Sequence, residues 1–213
     1  VTPAAAPAPV AVGGGKRRPS RSLVLIGAST GGTQAIEAVL TRLPGNMPPI
    51  LIVQHMPPVF TKSFAERLDR VTPLTVSEAK AGEVIMPGHV YVAPGDFHMV
   101  IDRDGLNLRI GLNAGAPVHY QRPAVDVLFQ SAARLRDVPM VATVLTGMGS
   151  DGADGLLALR KAGAETIAED EHSCVVFGMP KEAIARGGAK HVVTLLRMPG
   201  MLLDCLDKLA VAA

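Results

Sequence analysis

One local pattern recurs along this chain: a short apolar run, a turn of glycine and small residues, then apolar residues at helical spacing. Leu23-Val24-Leu25-Ile26 has no polar alternation, as expected of a strand buried on both faces. Gly27, Ala28, Ser29 and Gly31 interrupt the run, and Ala35, Ile36, Val39 and Leu40 then follow at the spacing of one helix face. After Pro48-Pro49, Ile50 to Val53 repeats the strand, and Phe60, Phe64 and Leu68 mark a second helix. Met140 to Thr146 runs into Gly147-Met148-Gly149-Ser150-Asp151-Gly152 and a helix over Leu156 to Ala162. Such alternation predicts an α/β fold: a doubly wound, mainly parallel sheet with helices on both faces and its site at the C-terminal rim of the strands.

The middle of the chain has a different character. Val84-Ile85, Val90-Tyr91-Val92, His98 to Ile101 and Leu106 to Ile110 are short β-rich runs separated by Pro87-Gly88, Pro94-Gly95 and Asp104-Gly105. Asp-Gly between apolar runs is a hairpin signal, so this region reads as an antiparallel β-hairpin insertion or edge. Asn113 to Pro123 follows as a polar loop, and Ala124 to Leu135 as a helix with Val127, Leu128 and Ala132 inward. Thr166 to Ala168 reads as a strand, Pro180 to Arg186 as a short helix, Val192 to Leu195 as a last strand and Met198 to Leu209 as a closing helix.

Composition bounds what the chain can be. With 213 residues and 48% hydrophobic content it can bury one ordinary core. No apolar run is long enough for a bilayer span, and the Ala/Pro-rich start lacks the features of a signal peptide, so no membrane insertion is expected. Cys174 and Cys205 form neither C-x-x-C nor a metal pattern, which points to a reducing compartment and a cytoplasmic location. Residues 1–21 are rich in Ala, Pro and Gly and end in a basic cluster, the composition of an interdomain linker ahead of a domain spanning 22–213. Starting at Val1 rather than Met is read as the mark of a fragment. Four of the 21 basic side chains (Lys16, Arg17, Arg18, Arg21) and no acid fall in that tail. The remainder holds 17 basic against 19 acidic groups, a net of −2. A mildly acidic, aromatic-poor domain is not a nucleic-acid surface.

Gly27-Ala28-Ser29-Thr30-Gly31 matches G-x-S-x-G, in which a sharp strand-to-helix turn presents a serine hydroxyl above the sheet. Taken alone, the stretch also fits a phosphate-cradling turn or a plain helix cap at Ser29. G-x-G-x-x-G and a P-loop lysine are both absent. His55, in Gln54-His55-Met56-Pro57, and Asp151 end two other strands on the same rim. Alone, each has a plain reading: a structural histidine, and an N-cap for the helix after Asp151. Together with Ser29 they supply a nucleophile, a base to take its proton and an acid to orient that base. The order Ser, His, Asp differs from the Ser, Asp/Glu, His of α/β-hydrolases, so a serine hydrolase here has a different wiring.

Six ordered blocks carry a resemblance to a known family. They are Gly27-Ala28-Ser29-Thr30-Gly31-Gly32; Gln54-His55-Met56-Pro57; Val90-Tyr91-Val92-Ala93-Pro94-Gly95; Arg122-Pro123-Ala124-Val125-Asp126-Val127-Leu128-Phe129; Leu145-Thr146-Gly147-Met148-Gly149-Ser150-Asp151-Gly152; and Ser173-Cys174-Val175-Val176-Phe177-Gly178-Met179-Pro180. From Leu23 to Cys205 the chain resembles the catalytic domain of the chemotaxis protein-glutamate methylesterases, the CheB family. The resemblance implies Ser29 as nucleophile, His55 as general base, Asp151 as orienting acid and the Met148 backbone N–H as an oxyanion donor, with Thr30 and Gly31 beside the nucleophile. It also implies hydrolysis of glutamate γ-methyl esters, and deamidation of glutamines, on the cytoplasmic helices of chemoreceptors, with no metal or cofactor. The methylated receptors and their methyltransferase are the implied partners. The family's N-terminal phosphoacceptor receiver domain is missing from this chain, so freedom from phosphorylation control is expected. A non-catalytic nucleotide- or peptide-binding module, and an esterase of another signalling pathway, are the alternatives.

Other polar residues carry plainer expectations. His98, His119, His172 and His191 show no ligand spacing. Cys174 lacks a basic neighbour and reads as a packing residue. Arg122 fits either bidentate recognition of receptor acids or a structural ion pair. Glu169-Asp170-Glu171 reads as a solvated acidic loop.

Overall fold

The computed structural model describes residues 22–212, so the expected linker over residues 1–21 lies outside the described residues. The elements are β1 (Leu23–Ala28), α1 (Gly32–Leu40), β2 (Ile50–Gln54), α2 (Pro58–Val71), β3 (Thr75–Glu78), β4 (His89–Val92), β5 (His98–Asp104), β6 (Asn107–Asn113), α3 (Val125–Ala132), β7 (Met140–Val144), α4 (Ala153–Lys161), β8 (Glu165–Glu169), α5 (Met179–Ala185), β9 (His191–Val193) and α6 (Met198–Ala212). Seven strands form one parallel sheet in the order β3-β4-β2-β1-β7-β8-β9. The chain leaves β1 toward β2, β3 and β4, then returns to lay β7 on the other side of β1. That reversal opens a crevice at the carboxyl ends of β1 and β7, the usual place for a site in such a sheet.

Every residue of β1, β2 and β7 is buried, which is why these strands read as continuous apolar runs. Strand alternation divides their side chains between two layers. Val24, Ile26, Ile50 and Ile52 pack with α1, α2 and α6. Leu23, Leu25, Leu51 and Val53 pack with α3, α4, α5 and the β5–β6 hairpin.

The middle of the chain differs from its expected layout. The antiparallel piece is the β5–β6 hairpin, paired from His98–Asn113 to Asp104–Asn107 around a turn containing Gly105 at φ 59°, with the expected Val84-Ile85 run bridged antiparallel to its edge at Arg109. β4 belongs to the parallel sheet, and β3 pairs with it at the edge. Thr75-Val76-Ser77-Glu78 carries mostly polar residues because an edge strand is only partly covered, so it has no apolar run to announce it. In α3 the inward residues are Val125, Leu128, Phe129 and Ala132, with Val127 only partly buried.

Glycine lets α3 approach the sheet closely. A Cβ on Gly27 would clash with Val125 Cγ1. Gly27→Ala is therefore an overpacking change, expected to cost about 1–3 kcal/mol. The measurement is urea unfolding, with a lower midpoint at unchanged slope. An unchanged midpoint would show that α3 has room to retreat.

Candidate active site

β1 and β2 are parallel with Ala28 opposite Gln54, so Ser29 and His55 leave adjacent strand ends side by side. The His55 N–H donates to the Ala28 C=O at 3.1 Å. One step beyond the strand ends, the odd-numbered alternation turns both residues toward the layer of α3. Asp151 follows β7 and is 2% exposed. Its Oδ2 accepts from His55 Nε2 at 2.7 Å and from the Val125 N–H at 2.6 Å, and its Oδ1 accepts from the Asp126 N–H at 2.9 Å. Val125 and Asp126 open α3, so the carboxylate sits on a helix N-terminus, where free N–H groups favour an anion. The N-cap of α4 is instead Gly152, at φ 88° with no side-chain cap bond, which replaces the plain reading of Asp151.

This arrangement settles which imidazole nitrogen faces which way. Nε2 faces the acid, and Nδ1 is buried with no hydrogen-bond partner. A proton on Nε2, assigned from its acceptor, leaves the lone pair on Nδ1. In the Ser-His-Asp template the two nitrogens have the opposite roles.

Ser29 is held by its backbone. Its N–H donates to the Thr146 C=O at 3.0 Å, and its C=O accepts from the Gly32 N–H at 2.8 Å and from Gln54 Nε2 at 2.9 Å. Its hydroxyl makes no hydrogen bond among the described residues. Ser29 is thus no helix cap: α1 starts from Gly31, at φ 81° and without a side-chain cap bond. Ser29 and His55 adjoin without a side-chain hydrogen bond, as is common before a substrate arrives. A Cβ on Gly147 would sit 2.7 Å from Ser29 Cβ, which places the Met148 peptide immediately beside the serine. The N–H groups of Thr30 and Met148 donate no hydrogen bond among the described residues, leaving both available beside Ser29. The Met148 side chain is 71% exposed. Across from Gly31, a Cβ would come 2.6 Å from Val175 Cβ, so the loop carrying Val175 walls the turn.

Arg122 is drawn into its own loop. Its Nη1 donates to the Ala114 and Gly115 carbonyls at 3.1 and 2.9 Å, with Asp96 4.0 Å from Nη2. The acidic loop reading fails for Glu169, which is fully buried with its pKa raised by burial. Cys174 beside it is pushed up to about 12 by burial and by the Glu169 charge, an inert thiol. His119 bonds Asp126 at 2.9 Å and His191 bonds Glu165 at 2.9 Å. Asp126, pushed up mainly by burial, also accepts from the Gly155 N–H at 2.6 Å. Those pairs extend into His119–Asp126–Asp154 and Glu165–His191–Cys205, two clusters with donor atoms within 4.8 Å of one another. Arg186 pairs with Asp154 and Lys190 with Glu165, so a cation already neutralises each.

Sequence reasoning passed over the side chains of Gln54 and Thr146 and misread Glu169. Gln54 ends an otherwise apolar strand and is 3% exposed, and its amide clamps the Ser29 and His55 carbonyls at 2.9 and 3.1 Å. A polar residue closing a fully buried strand was the available signal. A recess of about 240 Å³ near Met140 and Ala164 lies at the opposite ends of the strands from Ser29.

Comparison with known proteins shows the family. The sequence model of the CheB methylesterase family matches residues 24–202. The Pseudomonas aeruginosa protein-glutamate methylesterase/protein-glutamine glutaminase 2 is 54% identical over 185 residues, 87% of this chain and 53% of that protein. The Bordetella bronchiseptica protein-glutamate methylesterase/protein-glutamine glutaminase is 58% identical over 177 residues, 83% of this chain and 51% of its own length. The chain thus spans about half the length of the curated relatives it matches. The crystal structure of the Thermotoga maritima CheB methylesterase catalytic domain superposes with a TM-score of 0.84 at 43% identity, covering 87% of this chain and 98% of that one. In sequence and in fold, the chain belongs to the CheB methylesterase family.

Proposed function

We propose that this domain hydrolyses glutamate γ-methyl esters on chemoreceptor helices, with Ser29 as nucleophile, His55 as base and Asp151 as orienting acid. The observation that carries the reading is the buried His55 Nε2–Asp151 bond of 2.7 Å, with Nδ1 left unpartnered and Ser29 leaving the adjacent strand end. Ser29 Oγ attacks the ester carbonyl carbon as His55 Nδ1 takes its proton, since a neutral serine hydroxyl is a poor nucleophile. The carbonyl oxygen gains the charge and is met by the free Met148 and Thr30 N–H groups, fixed dipoles that need no reorganisation. Asp151 meets the imidazolium on its other side. Collapse breaks the C–OCH3 bond, and His55 returns its proton to the departing oxygen, giving methanol and an acyl group on Ser29. Water then attacks with His55 again as base, releasing the glutamate and restoring Ser29. A glutamine side chain follows the same course with ammonia leaving.

The substrate's setting follows from the same reading. The substrate helices are the cytoplasmic ones of chemoreceptors, so the reaction is proposed to be cytoplasmic, and a receiver domain is the regulatory partner expected of the longer relatives. Among the described residues no helix is long and apolar enough to cross a membrane. Incubation with a methylated receptor cytoplasmic fragment tests the proposal. Catalytic methanol release is expected. Tight binding of the fragment without methanol would favour a binding module, and turnover of small esters alone would favour another substrate.

A further inference from the structure

We propose that Glu169 is a positioning residue for the nucleophile, acting through Thr146; this rests on the reading of Ser29 as nucleophile. Glu169 ends β8 with no exposed surface. Its Oε2 accepts from the Thr146 N–H at 2.8 Å, and its Oε1 accepts from the Ser173 hydroxyl at 3.0 Å. Thr146 in turn holds the turn that bears Ser29. Its C=O accepts from the Ser29 N–H at 3.0 Å, and its hydroxyl donates to the Thr30 C=O at 2.9 Å. The buried carboxyl is therefore one residue removed from the nucleophile.

The same carboxyl braces the facing wall. Ser173, bonded to Glu169, also accepts from the Leu195 N–H at 2.9 Å, and the Thr146 hydroxyl accepts from the Val176 N–H at 2.9 Å. Between these two anchors lies Val175, packed onto Gly31. One acidic side chain thus ties both the floor of the serine turn and the loop that encloses it.

A carboxyl is an expensive choice for this position. Its hydrogen-bond partners include no basic side chain, and burial pushes its pKa up. An apolar residue of the same size would fill the space more favourably if packing were the only need. The β7–β8 ladder ends at Val144 opposite Ala168, so Thr146 has lost its strand partner where its position matters most. An acceptor from β8 restores it. Small displacements of a reacting group cost rate out of proportion to their size.

The test combines Glu169→Gln, Glu169→Leu and Thr146→Val in the intact chain. Two rates are read: covalent labelling of Ser29 by a fluorophosphonate, in which Oγ displaces fluoride from phosphorus, and kcat and KM for methanol release. Glu169→Gln keeps an oxygen for the Thr146 N–H and an amide N–H for the Ser173 oxygen. It is expected to stay within about threefold of wild type. Glu169→Leu is expected to slow labelling and kcat by roughly 10–100-fold with KM changed less than about threefold. Thr146→Val should fall in the same range. The double variant should lose little more than the worse single, because both act along one route. Wild-type labelling by a folded Glu169→Leu, even with a lowered Tm, would overturn the proposal. So would a Gln variant as slow as the Leu variant. Should Glu169→Leu fail to fold, Glu169→Met, which likewise offers the Thr146 N–H no carboxyl oxygen, decides in its place, wild-type labelling overturning the proposal. A wild-type chain that is never labelled at Ser29 would remove the underlying reading, an outcome distinct from the others.

Discussion

Ser29→Ala is expected to lower kcat for methanol release by about 10⁶-fold, the scale lost when a serine hydrolase loses its nucleophile. The substitution removes one oxygen that makes no hydrogen bond among the described residues, while the backbone bonds to Thr146, Gly32 and Gln54 remain. Folding and receptor affinity should therefore be nearly unchanged, and the loss should appear in kcat with KM retained. Methanol release measured beside a thermal melt checks both halves. A loss under about tenfold would mean that another group carries the attack.

Asp151→Asn is expected to cost about 10⁴-fold in kcat, by the tautomer argument known from the Ser-His-Asp template. Here the argument runs through the opposite nitrogen. Asp151 Oδ2 accepts from His55 Nε2 at 2.7 Å, so the aspartate keeps a proton on Nε2 and the lone pair on the unpartnered Nδ1, the nitrogen proposed to serve Ser29. An asparagine amide offered to Nε2 would reverse this, placing the proton on Nδ1 and leaving no base. The substitution also disturbs α3. Asp151 now accepts from the Val125 and Asp126 N–H groups at 2.6 and 2.9 Å, and an amide can accept on only one of its two atoms. Some loss of Tm should accompany the kinetic loss, whereas Ser29→Ala should show none. Comparable kcat in Asp151→Asn and wild type would contradict the assigned imidazole orientation.

How much of this was legible in the sequence depends on whether a residue's surroundings come from its own segment. β1, β2 and β7 are buried on both faces, so their apolar runs stand out, and the glycine turns after them follow from the tight bends they make. Ser29 and His55 directly follow such runs, and Asp151 follows the glycine-rich turn after β7, which is why one rim could be proposed from spacing. β3 was illegible because Thr75 to Glu78 lies at a sheet edge, where polar residues meet water. Glu169 was misread for the opposite reason. Its neighbours Asp170 and Glu171 face outward to different degrees, and nothing local shows that the first of three acids turns inward to Thr146. For Arg122, Asp96 at 4.0 Å fits the structural ion pair among its two readings, while its carbonyl partners Ala114 and Gly115 depend on how its loop closes. The inverted imidazole was beyond sequence altogether, since it is set by α3 delivering two N–H groups to Asp151.

The most direct measurement is the mass of the chain, and of its peptides, after reaction with a fluorophosphonate. The account predicts one adduct per chain, on the peptide bearing Ser29, with methanol release from the methylated receptor fragment abolished in step. Methanol release persisting after full modification of Ser29, or labelling at another serine with Ser29 untouched, would contradict it.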